Sequence, residues 1–144
     1  MNVKFAGFWI RAFASLLDLI IWCIFFFPTT YIVKGTWLMT KEDHLWGIFD
    51  PLCGMFLGII FLYWIVLETF LGGTVGKLLL GLRVTNDEFS KISFEQSILR
   101  NGIRLIDGLP CFNLLGIFSI ILSKEKQRIG DKVAKTFVVY KNSL

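Results

Sequence analysis

The sequence predicts a membrane all-α fold with about four membrane segments, the third and fourth forming a short helical hairpin, and a small cytoplasmic β element. Three observations predict it. First, 55% of the 144 residues are hydrophobic, above the roughly 45–50% of a soluble domain, and the mean hydropathy is +0.66. Second, the apolar residues fall in two long runs, Leu16–Val33 with one charge and Pro51–Leu67 with none. Third, the basic residues are distributed as a polytopic chain with both termini inside would distribute them.

Crossing a bilayer takes roughly 20 mostly apolar residues, because its hydrocarbon is about 30 Å thick and a helix rises about 1.5 Å per residue. With their flanks, both runs meet that length. A chain this short has no shell in which to bury two such helices as a soluble core. The first run follows Lys4 and Arg11, as a cleaved signal would. Its apolar stretch exceeds the roughly 7–15 residues of a signal, however, and no small-x-small site follows it before Pro28, so it reads as a retained helix. All 144 residues read as a single domain.

Helix one is expected from about Phe8 to Val33, bent or ended near Pro28. Lys34–Phe49 follows as a polar loop whose Trp37 and Trp46 suit the membrane–water interface. Helix two is expected from about Pro51 to Phe70, broken by Gly72-Gly73-Thr74. Gly76–Ile92 reads as non-helical, with Leu80–Thr85 a short strand before a turn at Asn86-Asp87. Ser93-Phe94-Glu95-Gln96 has the spacing of a capping box, so a third helix starts there. It runs to about Asp107 and stops at Gly108-Leu109-Pro110. Cys111–Leu122 is a further apolar piece, Ser123–Lys135 is strongly basic, and Thr136–Tyr140 is strand-like and expected to pair with Leu80–Thr85.

Charge sets the span count. Lys4 and Arg11 hold the N-terminus inside, and Lys77, Arg83 and Lys91 follow helix two on the same side. One further crossing would leave Lys124, Lys126, Arg128, Lys132, Lys135 and Lys141 outside, against the positive-inside rule. Two short legs turning at Pro110 remove the conflict and leave both termini cytoplasmic, as suits a multi-pass protein of the cell membrane.

Charges at membrane depth are costly and tend to face the bundle and mark function. Arg11 lies at the mouth of helix one, and Asp18 is on the same face about 10 Å deeper. Helical side chains lean toward the N-terminus, so Arg11 leans away from Asp18. Arg100, Arg104 and Asp107 fall at i, i+4 and i+7 on one face of the third helix, bordered by Asn101. Asp18 is therefore expected to pair with Arg104 or Arg100, and Glu68 is placed to complete the cluster. Lys124, Lys126, Arg128 and Lys132 form a basic surface suited to anionic lipid headgroups.

Several chemistries lack their residues. Gly72-Gly73-Thr74-Val75-Gly76-Lys77 resembles a phosphate loop, but Leu71 and Leu78 stand where that loop needs glycine and Ser or Thr. The one histidine, His44, lies in a loop, so no His-based triad or metal set forms. Cys23, Cys53 and Cys111 lie in apolar segments, without disulfide or metal-ligand spacing. An enzyme, a metal site, a cofactor and a nucleic-acid partner are therefore not expected.

The order of short motifs is similar to that of the RDD family of membrane proteins, named for an arginine and two aspartates. Ala6-Gly7-Phe8-Trp9-Ile10-Arg11 with Asp18 resembles its opening. Gly72–Lys77 through Leu80–Val84, Leu99-Arg100-Asn101 with Arg104–Pro110, and Gln127–Thr136 resemble its later segments. The resemblance assigns Arg11 and Asp18 to the first two namesake positions and Asp131 to the third, with Asp107 the alternative. Val75 departs from a common proline, which bears on loop stiffness, and Lys135 from a common glycine, which adds charge near Asp131. Some members are described as sodium/proton antiporters. The resemblance thus implies a transporter or cation/proton antiporter working on a monovalent cation or small solute. Four short helices enclose little volume, so a homo-oligomer is expected. The alternative is a non-transporting accessory or scaffold protein of a membrane complex.

Overall fold

A computed structural model describes residues 3–35, 37, 51–107, 123 and 126–143, excepting the side chains of 105–107. Helix α1 is Phe8–Lys34 and helix α2 is Pro51–Leu71. At about 1.5 Å per residue they run roughly 40 and 32 Å, each enough to cross a bilayer. These two helices are long and apolar enough to span a membrane.

Helix α1 is not ended by Pro28, as the sequence allows; it continues for six residues past it. Proline removes one N–H bond and crowds the carbonyl one turn back. Here Thr29 Oγ1 donates to the Phe25 carbonyl at 2.8 Å and Thr30 Oγ1 to the Phe27 carbonyl at 2.8 Å, the hydroxyl support that lets apolar helices carry proline. Gly35, in the left-handed region at φ 71°, ends the helix and donates its N–H to the Tyr31 carbonyl at 2.9 Å.

Both long helices are inverted relative to a soluble protein. On α1 the buried positions are Arg11, Ala14, Asp18 and Thr30, whereas Leu19, Ile24, Phe25 and Ile32 are exposed. On α2 Glu68 is buried with Phe56 and Ile65, while Met55, Leu57, Leu62 and Val66 are exposed. Apolar faces turned outward and polar groups turned inward are what a hydrocarbon solvent selects.

The remaining elements form a cap at one end of the helix pair. Gly72, at φ 76°, breaks α2. A one-turn helix, α3 (Val75–Leu79), follows where the sequence predicts no helix. Strand β1 (Leu82–Asn86) then pairs antiparallel with β2 (Thr136–Tyr140), in the register Leu82↔Tyr140 to Asn86↔Thr136. The expected pairing is therefore present, with β1 shifted two residues later at its start. The N-terminal segment bridges the free edge of β2 through Phe5↔Val139. The turn after β1 closes on Asn86 Oδ1, which accepts the N–H of Glu88 at 3.0 Å and of Ser90 at 2.9 Å.

Helix α4 is Phe94–Asp107. It starts as its capping box predicts: Gln96 N–H donates to Ser93 Oγ at 3.2 Å and Ser93 N–H to Gln96 Oε1 at 3.0 Å. Its polar residues Ser97, Arg100 and Asn101 are buried and its Phe94, Ile98 and Leu99 are exposed, the same inversion as in α1 and α2. A second one-turn helix, α5 (Ile129–Val133), precedes β2 inside the basic stretch; the sequence reading has no helix there. Ala6, Ala14, Leu82, Val84, Ile92 and Val138 make the cap's apolar core, beneath the first turns of α1. The return leg of the expected hairpin, 111–122, lies outside the described residues.

Candidate functional site

Two buried polar clusters lie where the long helices meet the cap, and α3 touches both. The first surrounds Asp18. Its side chain projects from α1 at the level of the α2–α3 break. Thr74 Oγ1 donates to Asp18 Oδ2 at 2.6 Å, and Tyr63 Oη and the Gly76 N–H donate to Oδ1 at 2.9 and 2.8 Å. Tyr63 Oη in turn accepts the Val75 N–H at 3.0 Å. Asp18 thus acts on α3 as a capping carboxylate would, satisfying an N–H at the start of a helix, but from another element. The approach is close because residue 76 is glycine: a Cβ there would overlap the Ala14 carbonyl.

The expected pairing of Asp18 with Arg104 or Arg100 is not what the structure holds. All three donors on the carboxylate are neutral. Arg104 instead donates from Nη2 to Ser15 Oγ at 3.3 Å and lies 4.2 Å above the Trp64 ring. Arg100 turns toward α2 and α5. The physical reason is that a carboxylate is satisfied by two or three good N–H or O–H donors as well as by one cation, and those donors lie nearer.

The second cluster is a line of alternating charges. Lys77 Nζ pairs with Glu68 Oε1. Arg100 Nε lies 3.5 Å from Glu68 Oε2 and 3.3 Å from Asp131 Oδ1. Arg11 Nη1 meets Asp131 Oδ2 at 2.6 Å, and Arg11 Nε donates to the Ala6 carbonyl at 3.0 Å. Five charged groups from α1, α2, α3, α4 and α5 are joined in this way, all of them buried. Asn101 Nδ2 adds a donor to Glu68 Oε2 at 2.9 Å. The Arg128 N–H adds one to Asp131 Oδ2 at 3.2 Å. Gly130 lets α5 press on α4, since a Cβ there would sit 3.0 Å from the Arg100 carbonyl.

Burial alone would raise the Asp131 carboxyl, but Arg100, Arg11 and Arg128 outweigh it and hold the group well below the ordinary carboxylate range. Lys77 goes the other way. Burial pushes its ammonium down to about 7, with Glu68 only partly opposing.

Of the residues named from sequence, the structure brings Arg11, Arg100 and Asp131 together and sets Asp18, on α1, apart against α3. Asp107 falls on α4, but its side chain lies outside the described residues, as does Lys124. On the basic surface Lys132 is exposed, and Lys126 and Arg128 are half-buried. The sequence reading missed Tyr63, Thr74, Gly76 and Lys77 as partners of the two acids. The signal for three of them is the glycine-rich segment 72–77, which has no phosphate-loop spacing yet carries a hydroxyl, a free N–H and a lysine. Among the described residues no group of acids, Cys and His is placed to hold a metal ion.

The sequence profile of the RDD family matches residues 5–135. The chain belongs to the RDD family. It is a membrane protein, mostly helical and with two long apolar helices among the described residues. Three relatives from Bacillus subtilis (strain 168) align over nearly its whole length. The uncharacterized protein YckC is 34% identical over 146 residues, covering 97% of this chain and 88% of that one. The uncharacterized protein YxaI is 31% identical over 152 residues, covering 96% and 99%. YteJ, described as an uncharacterized membrane protein, is 28% identical over 140 residues, covering 94% and 81%. No solved structure matches. In this RDD protein, the positions the resemblance assigns to the arginine and the second aspartate, Arg11 and Asp131, are in direct contact.

Proposed function

We propose that this RDD family protein exchanges a monovalent cation or small solute for protons across the cell membrane, with Asp18 as the exchanging acid. The observation that carries the reading is that the Asp18 carboxylate is buried about three turns into a membrane helix and its hydrogen-bond donors are all neutral. Taking up a proton or a cation there breaks no ion pair, and both donor hydroxyls can turn to accept instead. An intramembrane acid in such a setting is by default a functional residue.

The reading includes a multi-pass chain with both termini cytoplasmic. Supporting it are the charge distribution and the outward apolar face of α4, whose 14 residues form a third membrane segment with a return leg in 111–122. It works as a homo-oligomer, because so few helices enclose little volume. Lys126, Arg128 and Lys132 rest against anionic headgroups.

The test is reconstitution. A sodium or potassium gradient imposed on proteoliposomes with a trapped pH dye should drive protons in the opposite sense. A dye trace equal to that of empty liposomes removes the reading.

One observation favours the accessory-protein alternative. The line Lys77–Glu68–Arg100–Asp131–Arg11 pairs its charges internally and staples cap to helices, as a scaffold would need. A partner that co-purifies in fixed stoichiometry, together with no flux, would select it.

A further inference from the structure

One short segment covers both Asp18 and Glu68. Thr74 Oγ1 and the Gly76 N–H donate to Asp18 of α1, and the Val75 N–H donates to Tyr63 of α2. Lys77 Nζ pairs with Glu68, also of α2. Thr74, Gly76 and Lys77 are buried, whereas Leu78 and Leu79 at the other face of α3 are exposed, Leu79 at 69%. On that side a single helical turn stands between the two carboxylates and the protein surface.

Three features make this turn separable from its surroundings. Its attachments are polar: no residue of Val75–Leu79 belongs to the cap's apolar core, and its side-chain bonds to the long helices end on the two acids and Tyr63. It is too short to persist alone, since a helix in water needs roughly 12–15 residues to be even marginal. Its ends, by contrast, are pinned. The Gly72 carbonyl accepts the Val84 N–H at 2.6 Å, and the Gly81 carbonyl accepts the Lys141 N–H at 2.8 Å. Both glycines stand in the left-handed region, at φ 76° and 66°, where the chain turns without a side chain to hinder it.

We infer that α3 is a lid over both acids, hinged at Gly72 and Gly81, and that it lifts as one unit, uncovering Asp18 and Glu68 together. A segment with few apolar contacts, whose bonds are lost together, opens below the cost of global unfolding. The lid makes the two acids one system: a bond broken at Glu68 shifts the equilibrium that covers Asp18, on a different helix. It rests on the exchange reading for its purpose, giving a species in water its way to Asp18, but its opening is measured without flux.

The full chain in detergent is treated with a water-soluble carbodiimide and glycinamide, and labelling of each acid is read by peptide mass spectrometry. Lys77→Gln weakens the lid at Glu68 and Thr74→Val weakens it at Asp18. The crossed readings decide. Asp18 in Lys77→Gln, and Glu68 in Thr74→Val, should each label about tenfold faster or more, as loss of a hydrogen bond to a charged group predicts for a shared opening. Variants that each speed only the acid they touch overturn the lid. The native chain gives a test that needs no substitution. The N–H groups of Val75, Gly76 and Leu78 should exchange with one shared protection, well below that of α1. Separate protections, or exchange only in step with α1, overturn it equally. Concerted uncovering without cation-driven flux keeps the lid and removes the exchange reading, and flux with independently labelled acids does the reverse.

Discussion

Arg11 Nη1 lies 2.6 Å from Asp131 Oδ2, joining the first turn of α1 to a helix 120 residues further along the chain. Both side chains are buried, and Asp131 receives Arg100 on its other oxygen. Removing one partner of a buried pair leaves an uncompensated charge and costs about 3–5 kcal/mol. Arg11→Ala and Asp131→Asn should each lower stability by that order in denaturant-induced unfolding. The double variant should lose less than the sum of the two, because the residues form one unit. Additive losses would mean that the contact is incidental.

The same pair sets an acid limit. The Asp131 carboxyl is held below its ordinary value of 3.8 in the folded protein, so the unfolded chain binds a proton more readily and acid favours unfolding. The contribution is complete above that ordinary value and is lost as pH falls through and below it. Unfolding midpoints from pH 6 to 3 should drop for the native chain, and the drop should be shallower in Asp131→Asn. Parallel curves would contradict the assignment.

Close approach of α1 and α3 depends on Gly76. A methyl group there overlaps the Ala14 carbonyl, whereas a Cβ at Gly54 or Gly58 of α2 meets nothing within 4 Å. Gly76→Ala should therefore destabilise by about 1–3 kcal/mol or more, as overpacking does, and should loosen the grip of α3 on Asp18. Gly54→Ala and Gly58→Ala should leave unfolding within about 0.5 kcal/mol of the native chain, the range of ordinary surface changes.

Tyr63 carries two bonds, donating to Asp18 and accepting from Val75. Tyr63→Phe keeps the ring that packs edge-on against Trp22 at 5.3 Å and removes both bonds. A loss of about 1–3 kcal/mol is expected, since a part-buried N–H and a carboxylate oxygen each lose a partner. An unchanged unfolding curve would show that the hydroxyl is not holding α3.

Where local chemistry decides, the sequence was a sufficient guide. Apolar runs produce α1 and α2, Ser93 and Gln96 start α4, and the TFVVY segment, rich in β-branched and aromatic residues, pairs with β1. Helix α3 is hidden because so short a segment carries no periodicity, and its first N–H groups are satisfied from other elements, Val75 by Tyr63 and Gly76 by Asp18, 58 residues upstream. The partners of Asp18 are hidden from the sequence for a related reason. Charge complementarity can be read from a sequence, whereas Tyr63 and Thr74 look like ordinary residues of a membrane helix and a loop until the chain folds. Segment 72–77 shows the same limit: its glycines, threonine and lysine do cradle anionic oxygens, but those of Asp18 and Glu68.

The central claim is that Asp18 exchanges protons for the transported species, and it is most directly tested by Asp18→Asn in proteoliposomes. The asparagine oxygen can still accept from Tyr63 and Gly76, and its amide nitrogen can donate to the Thr74 hydroxyl, so the protein should assemble and unfold near the native midpoint. Cation-driven proton movement should fall to the level of empty liposomes. Flux at the native rate from the assembled variant would contradict the account.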